Sequence, residues 1–382
     1  MELKKIHISD IGKVVTGKTP RTSVAENYGG DIPFLTPSDN LSHKSAPKMT
    51  KTLTEQGLNE VRNCLLPPHS VCVSCIGSDL GKVVMTIEPT VTNQQFNSII
   101  PNTNFNADFV YYLMTLVGKE LNYLSKTSTA VPIINKSSFS NYEVEVPKLK
   151  VQEKIASILS SLDDKIELNR RINDNLEQQA QALFKSWFVD FEPFRGEKFV
   201  ESQLGMIPKG WKVGTLFDLL DIRYGKDHKK LNDGNIPVYG SGGIMRLADG
   251  ILYNGESVLI PRKGTLNNVL YVNWPFWTVD TMFYSIEKVP NVAKYCHLLL
   301  SKLDLASMNS GSAVPSMTTD ILNKIQVIVP NQNVFSSFNE CISSLYLKAK
   351  INLDENKRLS ETRDLLLPKL MSGRLIIKDL HS

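Results

Sequence analysis

Five cysteines in 382 residues are too few for a disulfide framework, which points to a reducing cytoplasm. No apolar stretch approaches the roughly 20 residues that a membrane-spanning helix needs. The opening MELKKIHISD has no apolar signal core. Charge of one sign is scarce too: 43 Lys and Arg against 39 Asp and Glu leave +4, too little to decide for a nucleic-acid partner. Catalytic signatures are missing. No G-x-G-x-x-G, H-E-x-x-H or G-x-S-x-G occurs, and GSDLGKV at 77–83 is one residue short of a phosphate loop and runs into a strand pattern. Leu66-Pro67-Pro68-His69 lacks the amide or acid of an amino-methyltransferase element. Asp190, Glu192, Glu197 and Lys198 have no nuclease spacing, and the six histidines form no triad. The sequence therefore shows no catalytic centre and no cofactor site.

Metal needs separate weighing, because Cys72-Val-Ser-Cys75 is a CxxC with Cys64 and His69 upstream. SVCVSCI alternates like a buried strand, which would send Cys72 and Cys75 to opposite faces. No metal site is expected.

What is present is a duplication. From residue 109 to about 185, adding 183 lands on a similar residue. Thr129-Ala130-Val131-Pro132 maps onto Ser312-Ala313-Val314-Pro315, and Val144-Glu145-Val146-Pro147 onto Val327-Ile328-Val329-Pro330. Upstream the match continues with gaps. VTNQQFNSI (91–99) pairs with TVDTMFYSI (278–286) at 187, Ile32-Pro33 with Ile236-Pro237 at 204, and Asp10, Gly17 and Lys18 with Asp218, Gly225 and Lys226 at 208. Cys72 and Cys75 fall on Leu259 and Arg262, so the shared scaffold needs no metal there. The offset shrinks by 208 − 183 = 25, so the first copy carries about that many extra loop residues. Repeats decide the reading of a whole fold, and loops are where two copies of one scaffold diverge.

Each copy ends in a long amphipathic segment. Val151, Ile155, Ile158, Leu162, Asn169, Ile172, Leu176 and Leu183 step by three, four or seven, the pattern of a coiled-coil seam. The second copy reads Val334, Phe338, Cys341, Leu345, Asn352, Glu355, Leu359 and Leu366. With no proline or glycine between Gln152 and Ser186, a helix of about 35 residues, on the order of 50 Å, is expected. Two such helices in one chain would most simply lie antiparallel. Asn169 and Asn352 fall on both seams, and two readings stand: a tolerated polar residue, or a lock on register.

The globular parts read as mixed α and β. Strands are expected at Ser70–Ile76, Lys82–Ile87, Asn97–Ile100, Ser257–Ile260, Val269–Val272 and Met282–Ile286. Helices are expected at Ala107–Thr115 and Val292–Lys302.

IELNRRINDNLEQQAQALFKSWFVDFEPFRG (166–196) closely resembles the central conserved region of type I restriction-modification specificity subunits. GDIPFLTPSDN (30–40), VSCIGSDLGKV (73–83), NQQFNSI (93–99), LGMIPKGWKV (204–213) and LPKLMSGRL (367–375) resemble further parts of that family, in order. The resemblance implies an α+β chain of two tandem mixed α/β target recognition domains, each followed by a long helix, with the two helices packed as an antiparallel coiled coil. The boundaries would be 1–150 and 196–332 for the recognition domains, and 151–195 and 333–382 for the helical regions. It implies a non-catalytic, DNA-reading subunit whose domains each read half of a bipartite, asymmetric site. The helices would set the spacer and dock two adenine-N6 methyltransferase subunits, with a restriction subunit as a further possible partner. S-adenosylmethionine is then expected on the methyltransferase, ATP and magnesium on a restriction partner, and no cofactor on this chain.

Side chains suited to base edges and phosphates are amides, Arg, Lys, Ser and Thr on loops. In the first unit these are Lys18, Arg21, Asn40, Lys44, Lys48, Gln94 and Gln95, with Ser125 to Thr129 a second tier. In the second they are Arg223, Lys226, His228, Lys229, Lys230, Arg246, Arg262, Lys263 and Asn267. Gln94 and Gln95 have an alternative reading as a buried amide network tying strand to turn. Candidates for helix pairing or partner docking are Lys165, Asn169, Leu176, Trp187, Phe188, Phe191, Lys348, Asn352 and Leu359. Trp187, Phe188, Phe191 and Phe194 could instead stack on bases. The specificity subunit of a modification-only methyltransferase, a self-sufficient enzyme and a coiled-coil scaffold that binds only protein are the alternatives.

Overall fold

The computed structural model describes residues 2–45, 49–77, 79–125, 133–308 and 316–375. Lys48, the second-tier stretch beyond Ser125, and the repeated 129–132 and 312–315 segments lie outside the described residues. The chain divides into two compact units, residues 1–169 with 354–382 and residues 170–353.

In the first unit, Lys4–His7 pairs antiparallel with Glu143–Val146, Lys4 opposite Val146. A four-stranded antiparallel sheet follows, built from β1 (Gly12–Thr16), β2 (Val71–Ser74), β3 (Val83–Met85) and β4 (Phe96–Pro101) in the order β1-β4-β2-β3. A second sheet orders Thr52–Leu53, Tyr28–Leu35, Thr90–Thr92 and Leu65–Leu66, and its central pair is parallel. Helix α1 (Ala107–Ser125) covers the first sheet. It begins where expected but runs 19 residues, because its apolar stripe continues through Val117 and Leu121 into the core.

The second unit repeats this plan. Lys212–Thr215 pairs with Gln326–Val329, Lys212 opposite Val329. The sheet of β5 (Leu220–Tyr224), β6 (Ser257–Pro261), β7 (Leu270–Val272) and β8 (Met282–Glu287) has the order β5-β8-β6-β7. Ile236–Gly240 lies parallel to Trp277–Thr278, as Tyr28–Leu35 does to Thr90–Thr92. The long helix α2 (Leu149–Phe188) leads into this unit, whose counterpart of α1 is the shorter α3 (Ala293–Lys302), of 10 residues, and α4 (Gln332–Met371) follows. A hairpin of Phe199–Ser202 and Gly205–Pro208 precedes Lys212–Thr215.

Pairing corrects the sequence offset of 187 in one strand. Thr16 lies opposite Asn97 and Tyr224 opposite Phe283, which sets β4 against β8 at 186. Asn97 then matches Phe283, and Phe96 matches Met282. A one-residue slip in a strand exchanges its two faces. At 186, Phe96 and Met282 both face the smaller core of their unit. The offset stays 186 into the helix, where the entry bonds are Val110 N to Asn106 O and Cys296 N to Val292 O. It reaches 183 by Ile133 and Ser316, which bridge Ile76 and Lys263. Along α1 and α3 a three-residue slip keeps nearly the same face, so the apolar pattern alone suits both offsets.

Helices α2 and α4 are 40 residues each and pack antiparallel. In the first unit Asp163 meets Arg363 and Asn169 meets Asn356. In the second, Asn173 meets Asn352. The buried line departs from the expected seam near the helix ends. Gln152, Ile155, Ala156, Leu159 and Asp163 are buried, whereas Val151, Ile158 and Leu162 are half-buried and Cys341 is exposed. Those turns are packed by the sheets and helix of their own unit as well as by the partner helix, which rotates the covered face. Ile155 and Leu159 join Leu367 and Leu370 in the first core, and Phe184 and Phe188 join Phe335 and Phe338 in the second.

Candidate nucleic-acid interface

Both units build the same feature where the first sheet strand ends. Gly17 N donates to Phe96 O at 3.1 Å and Lys18 N to Thr92 O at 2.9 Å. Gly225 N donates to Met282 O at 3.1 Å and Lys226 N to Thr278 O at 2.8 Å. A Cβ on Gly17 would meet Asn93 O at 2.1 Å, and one on Gly225 would meet Val279 O at 2.0 Å. Only glycine permits so close a backbone approach. Lys18 and Lys226 follow at once, exposed and with no side-chain hydrogen bond or ion pair among the described residues.

Around this shared point the candidates separate. In the first unit Gln94 is exposed, and its Oε1 accepts from Thr19 Oγ1 at 2.6 Å. Gln95, half-buried, accepts at Oε1 from Asn93 Nδ2 at 2.9 Å within the same turn, so these amides bond locally and are not a buried network. Arg21 is clamped on Glu60, Nε and Nη2 both donating to Oε1. That guanidinium holds the Glu60 carboxyl down at about 2. Lys44 is occupied inside the unit: Nζ lies 2.6 Å from Asp108 Oδ1, donates to Ser160 Oγ, and sits over the Tyr112 ring. Asn40 is exposed and caps its own turn by accepting from Ser42 N.

In the second unit Lys229, Lys230 and Lys263 are exposed, with no side-chain hydrogen bond or ion pair among the described residues. Arg246 closes the loop that carries Lys229 and Lys230, Nη2 donating to the His228 and Leu231 carbonyls at 2.9 and 2.8 Å. Arg223 pairs with Asp221 at 2.8 Å. Asn267 is held between Asp304 Oδ1 and Ala306 N. Arg262 Nη1 donates to Asp280 O at 3.1 Å, and its guanidinium lies 5.2 Å above the Tyr224 ring. Of the groups that position these cations, Glu60 and Asp108 carry no signal in the sequence, whereas Tyr224, one residue before the glycine turn, has one in strand alternation.

Cys72 and Cys75 point into different cores. Burial pushes their thiols up to about 12 and about 11. Within GSDLGKV, residues 79–81 form a turn over α1, where Gly81 and Gly118 approach so closely that a Cβ on either would lie 2.1 Å from the other's carbonyl oxygen.

The helix-borne candidates lie in two settings. Asn169 is fully buried and Nδ2 donates to Glu355 Oε2 at 2.7 Å and Asn356 Oδ1 at 2.9 Å, with Lys165 Nζ 3.4 Å from the same Glu355 oxygen. In the second unit Asn352 Nδ2 donates to Asn173 Oδ1 at 2.8 Å. Adding 183 to Asn169 gives Asn352, and to Asn173 gives Asn356, so each unit holds one copy of the same pair. Leu176 and Leu359 are half-buried and Lys348 is exposed. Phe188 is 3% exposed, with its ring 4.7 Å from Phe338 and 4.8 Å from Tyr295. Trp187 packs on Phe338 and Phe194, and Phe191 packs on Trp211. Phe188 belongs to the core of the second unit, and Trp187, Phe191 and Phe194 are half-buried against it.

A family model for the type I restriction modification DNA specificity domain matches residues 1–178 and again 208–352. The chain belongs to this type I restriction-modification specificity family. It is 31% identical to the type I restriction enzyme MjaIX specificity subunit of Methanocaldococcus jannaschii, over 99% of this chain and 94% of that one. It is 27% identical to the HindI specificity subunit of Haemophilus influenzae, over 75% of this chain and 81% of that one. The crystal structure of a type I system S subunit from M. genitalium shares the fold, with a TM-score of 0.52 at 17% identity over 100% of this chain and 97% of that one. The duplicated family match coincides with the duplicated sheets. No described helix is long and apolar enough to cross a membrane.

Proposed function

We propose that this chain is the DNA-reading subunit of a type I modification complex and supplies no catalytic group of its own. Each recognition domain, 1–150 and 196–332, reads one half of a bipartite asymmetric site. The helical regions 151–195 and 333–382 set the spacer between the halves and dock two adenine-N6 methyltransferase subunits, on which S-adenosylmethionine is bound. The observation that carries this reading is the repeated Gly-Lys turn. Two copies of one backbone present a cation at the same point, and around it the loops differ. Phosphates are alike in every sequence and bases are not, so a common positioning element with divergent surroundings suits two readers of two different half-sites. Half-site spacing is a matter of protein geometry, and helices of 40 residues are suited to set it.

Mapping of adenine-N6 methylation in the host genome, with and without this chain, tests the proposal. Loss of one two-part motif is expected. An unchanged map, together with a co-purifying methyltransferase, would contradict it.

A further inference from the structure

Three equivalent positions change character together while the backbone around them stays the same. They are Thr16 and Tyr224, Cys75 and Arg262, and Asn97 and Phe283. Cys75 N donates to Gln95 O at 2.7 Å, and Arg262 N to Thr281 O at 2.9 Å. On the other side, Ile134 N donates to Cys75 O and Met317 N to Arg262 O, at 3.0 and 2.8 Å. The two residues therefore leave the same point of the scaffold.

In the first unit that point is closed. Cys75 is 2% exposed. Thr16 Oγ1 donates to Asn97 Oδ1 at 2.6 Å, and Asn97 Nδ2 to Ile134 O at 3.1 Å. In the second unit the same point is open, with Arg262 over the Tyr224 ring and Phe283 edge-on to it. Tyr224 is 51% exposed, with one side against the Phe283 ring at 5.0 Å and the Arg262 guanidinium 5.2 Å from its centre. One nitrogen, Nη1, is anchored on Asp280 O. Among the described residues the Nε and Nη2 donors have no protein acceptor, and no carboxylate pairs with Arg262. Lys263 beside it and Lys226 in the adjoining turn are exposed as well.

An arginine held only to cover a tyrosine would not require this surrounding positive charge. A stacked guanidinium with one nitrogen fixed has lost most of its rotamer freedom, and its remaining edge is a preset two-pronged donor. The O6 and N7 acceptors of guanine match that edge in the major groove. Resting on the reading of the chain as a DNA-specificity subunit, we infer that Arg262, stacked on Tyr224, reads one guanine in the half-site of the second unit. The first unit has no counterpart at this point.

The experiment uses the full chain co-purified with its methyltransferase, and selection of bound duplexes from a pool randomised over both half-sites. Wild type, Arg262→Ala, Arg262→Lys and Tyr224→Ala are compared, with melting curves to show that each is folded. Wild type is expected to enrich one bipartite motif. Both Arg262 variants should keep the half-site of the first unit, and in the other half-site one guanine should become degenerate. Preference for that guanine should drop roughly ten- to a hundredfold. Arg262→Lys should fail like Arg262→Ala, because a point charge cannot replace the fork. Tyr224→Ala should weaken the same preference. Enrichment of the wild-type motif by both Arg262 variants would overturn the inference, as would loss of preference in both half-sites. If wild type enriches no motif, the DNA-reading proposal itself fails, and the inference with it.

Discussion

Placed position on position, the two units share hydrogen-bonded backbone far more than they share side chains. Asp108 of α1 corresponds to Lys294 of α3, a reversal of charge. Each is neutralised from a different place, Asp108 by Lys44 at 2.6 Å and Lys294 by Glu256 at 3.1 Å. Asp163 of α2 corresponds to Tyr346 of α4. In the first unit Asp163 is buried, accepting from Tyr112 Oη at 2.5 Å and Arg363 Nη1 at 2.6 Å. In the second, Tyr346 meets His297 Nδ1 at 2.7 Å among aromatic rings. The same helix-on-sheet joint is thus closed by ions in one unit and by rings in the other. A duplicated scaffold fixes where groups stand, and each copy then solves burial and charge by itself.

That contrast can be broken by mutation, and the largest effect belongs to the aromatic joint. Phe188→Ala opens a cavity among packed rings and should cost about 4 kcal/mol, whereas Met371→Ala at the corresponding place should cost about 2. Hydrogen exchange resolved by unit should show the Phe188 loss in residues 170–353, and equal losses in both units would break the comparison. Next comes the ionic joint. Arg363→Ala leaves a buried carboxylate unpaired and should cost about 3 kcal/mol, while Arg363→Met with Asp163→Leu should recover most of it. Urea denaturation of the single and double variants decides this, and a double variant no better than the single one would refute the pairing.

A pH effect of about 2 kcal/mol should separate the units next. Burial drives His297 from its ordinary 6.5 down to about 4. A ring kept neutral in the fold contributes stability that is complete above the ordinary value. It is lost as pH falls towards the folded value, because the unfolded chain takes up the proton first. Between about pH 7 and about pH 5 the second unit should lose about 2 kcal/mol that the first keeps. The same scan on His297→Gln should be flatter; an identical slope would remove His297 as its source. The smallest effect is on the shared turn. Lys18→Ala and Lys226→Ala should each change stability by less than about 0.5 kcal/mol. Each should lower the salt dependence of DNA binding by about one unit of slope. A change for one lysine alone would show that the turns are not equivalent.

Much of this architecture was legible in the residues. Strands at Val71–Ser74, Leu270–Val272 and Met282–Glu287 announce themselves by apolar alternation between turn residues. The long helices follow from the uninterrupted periodic pattern. The unit boundary was less so, because each compact unit takes part of α2 and part of α4, and periodicity carries no sign of such an exchange. The one-residue offset in β4 and β8 was hidden because identities such as Phe96 with Phe283 favour the wrong register. Among the candidate contacts, charge and loop position did not distinguish Lys18, which has no ion-pair partner among the described residues, from Lys44, which is held by Asp108 and Ser160. Those partners are distant in sequence, and only tertiary packing brings them together.

The central claim is that two copies of one scaffold act as two separate readers. Exchanging residues 196–332 for the corresponding domain of another family member, followed by methylation mapping in the host, tests it most directly. The account predicts a motif in which one half-site is new and the other is unchanged. A motif altered in both halves, or in neither, would contradict it.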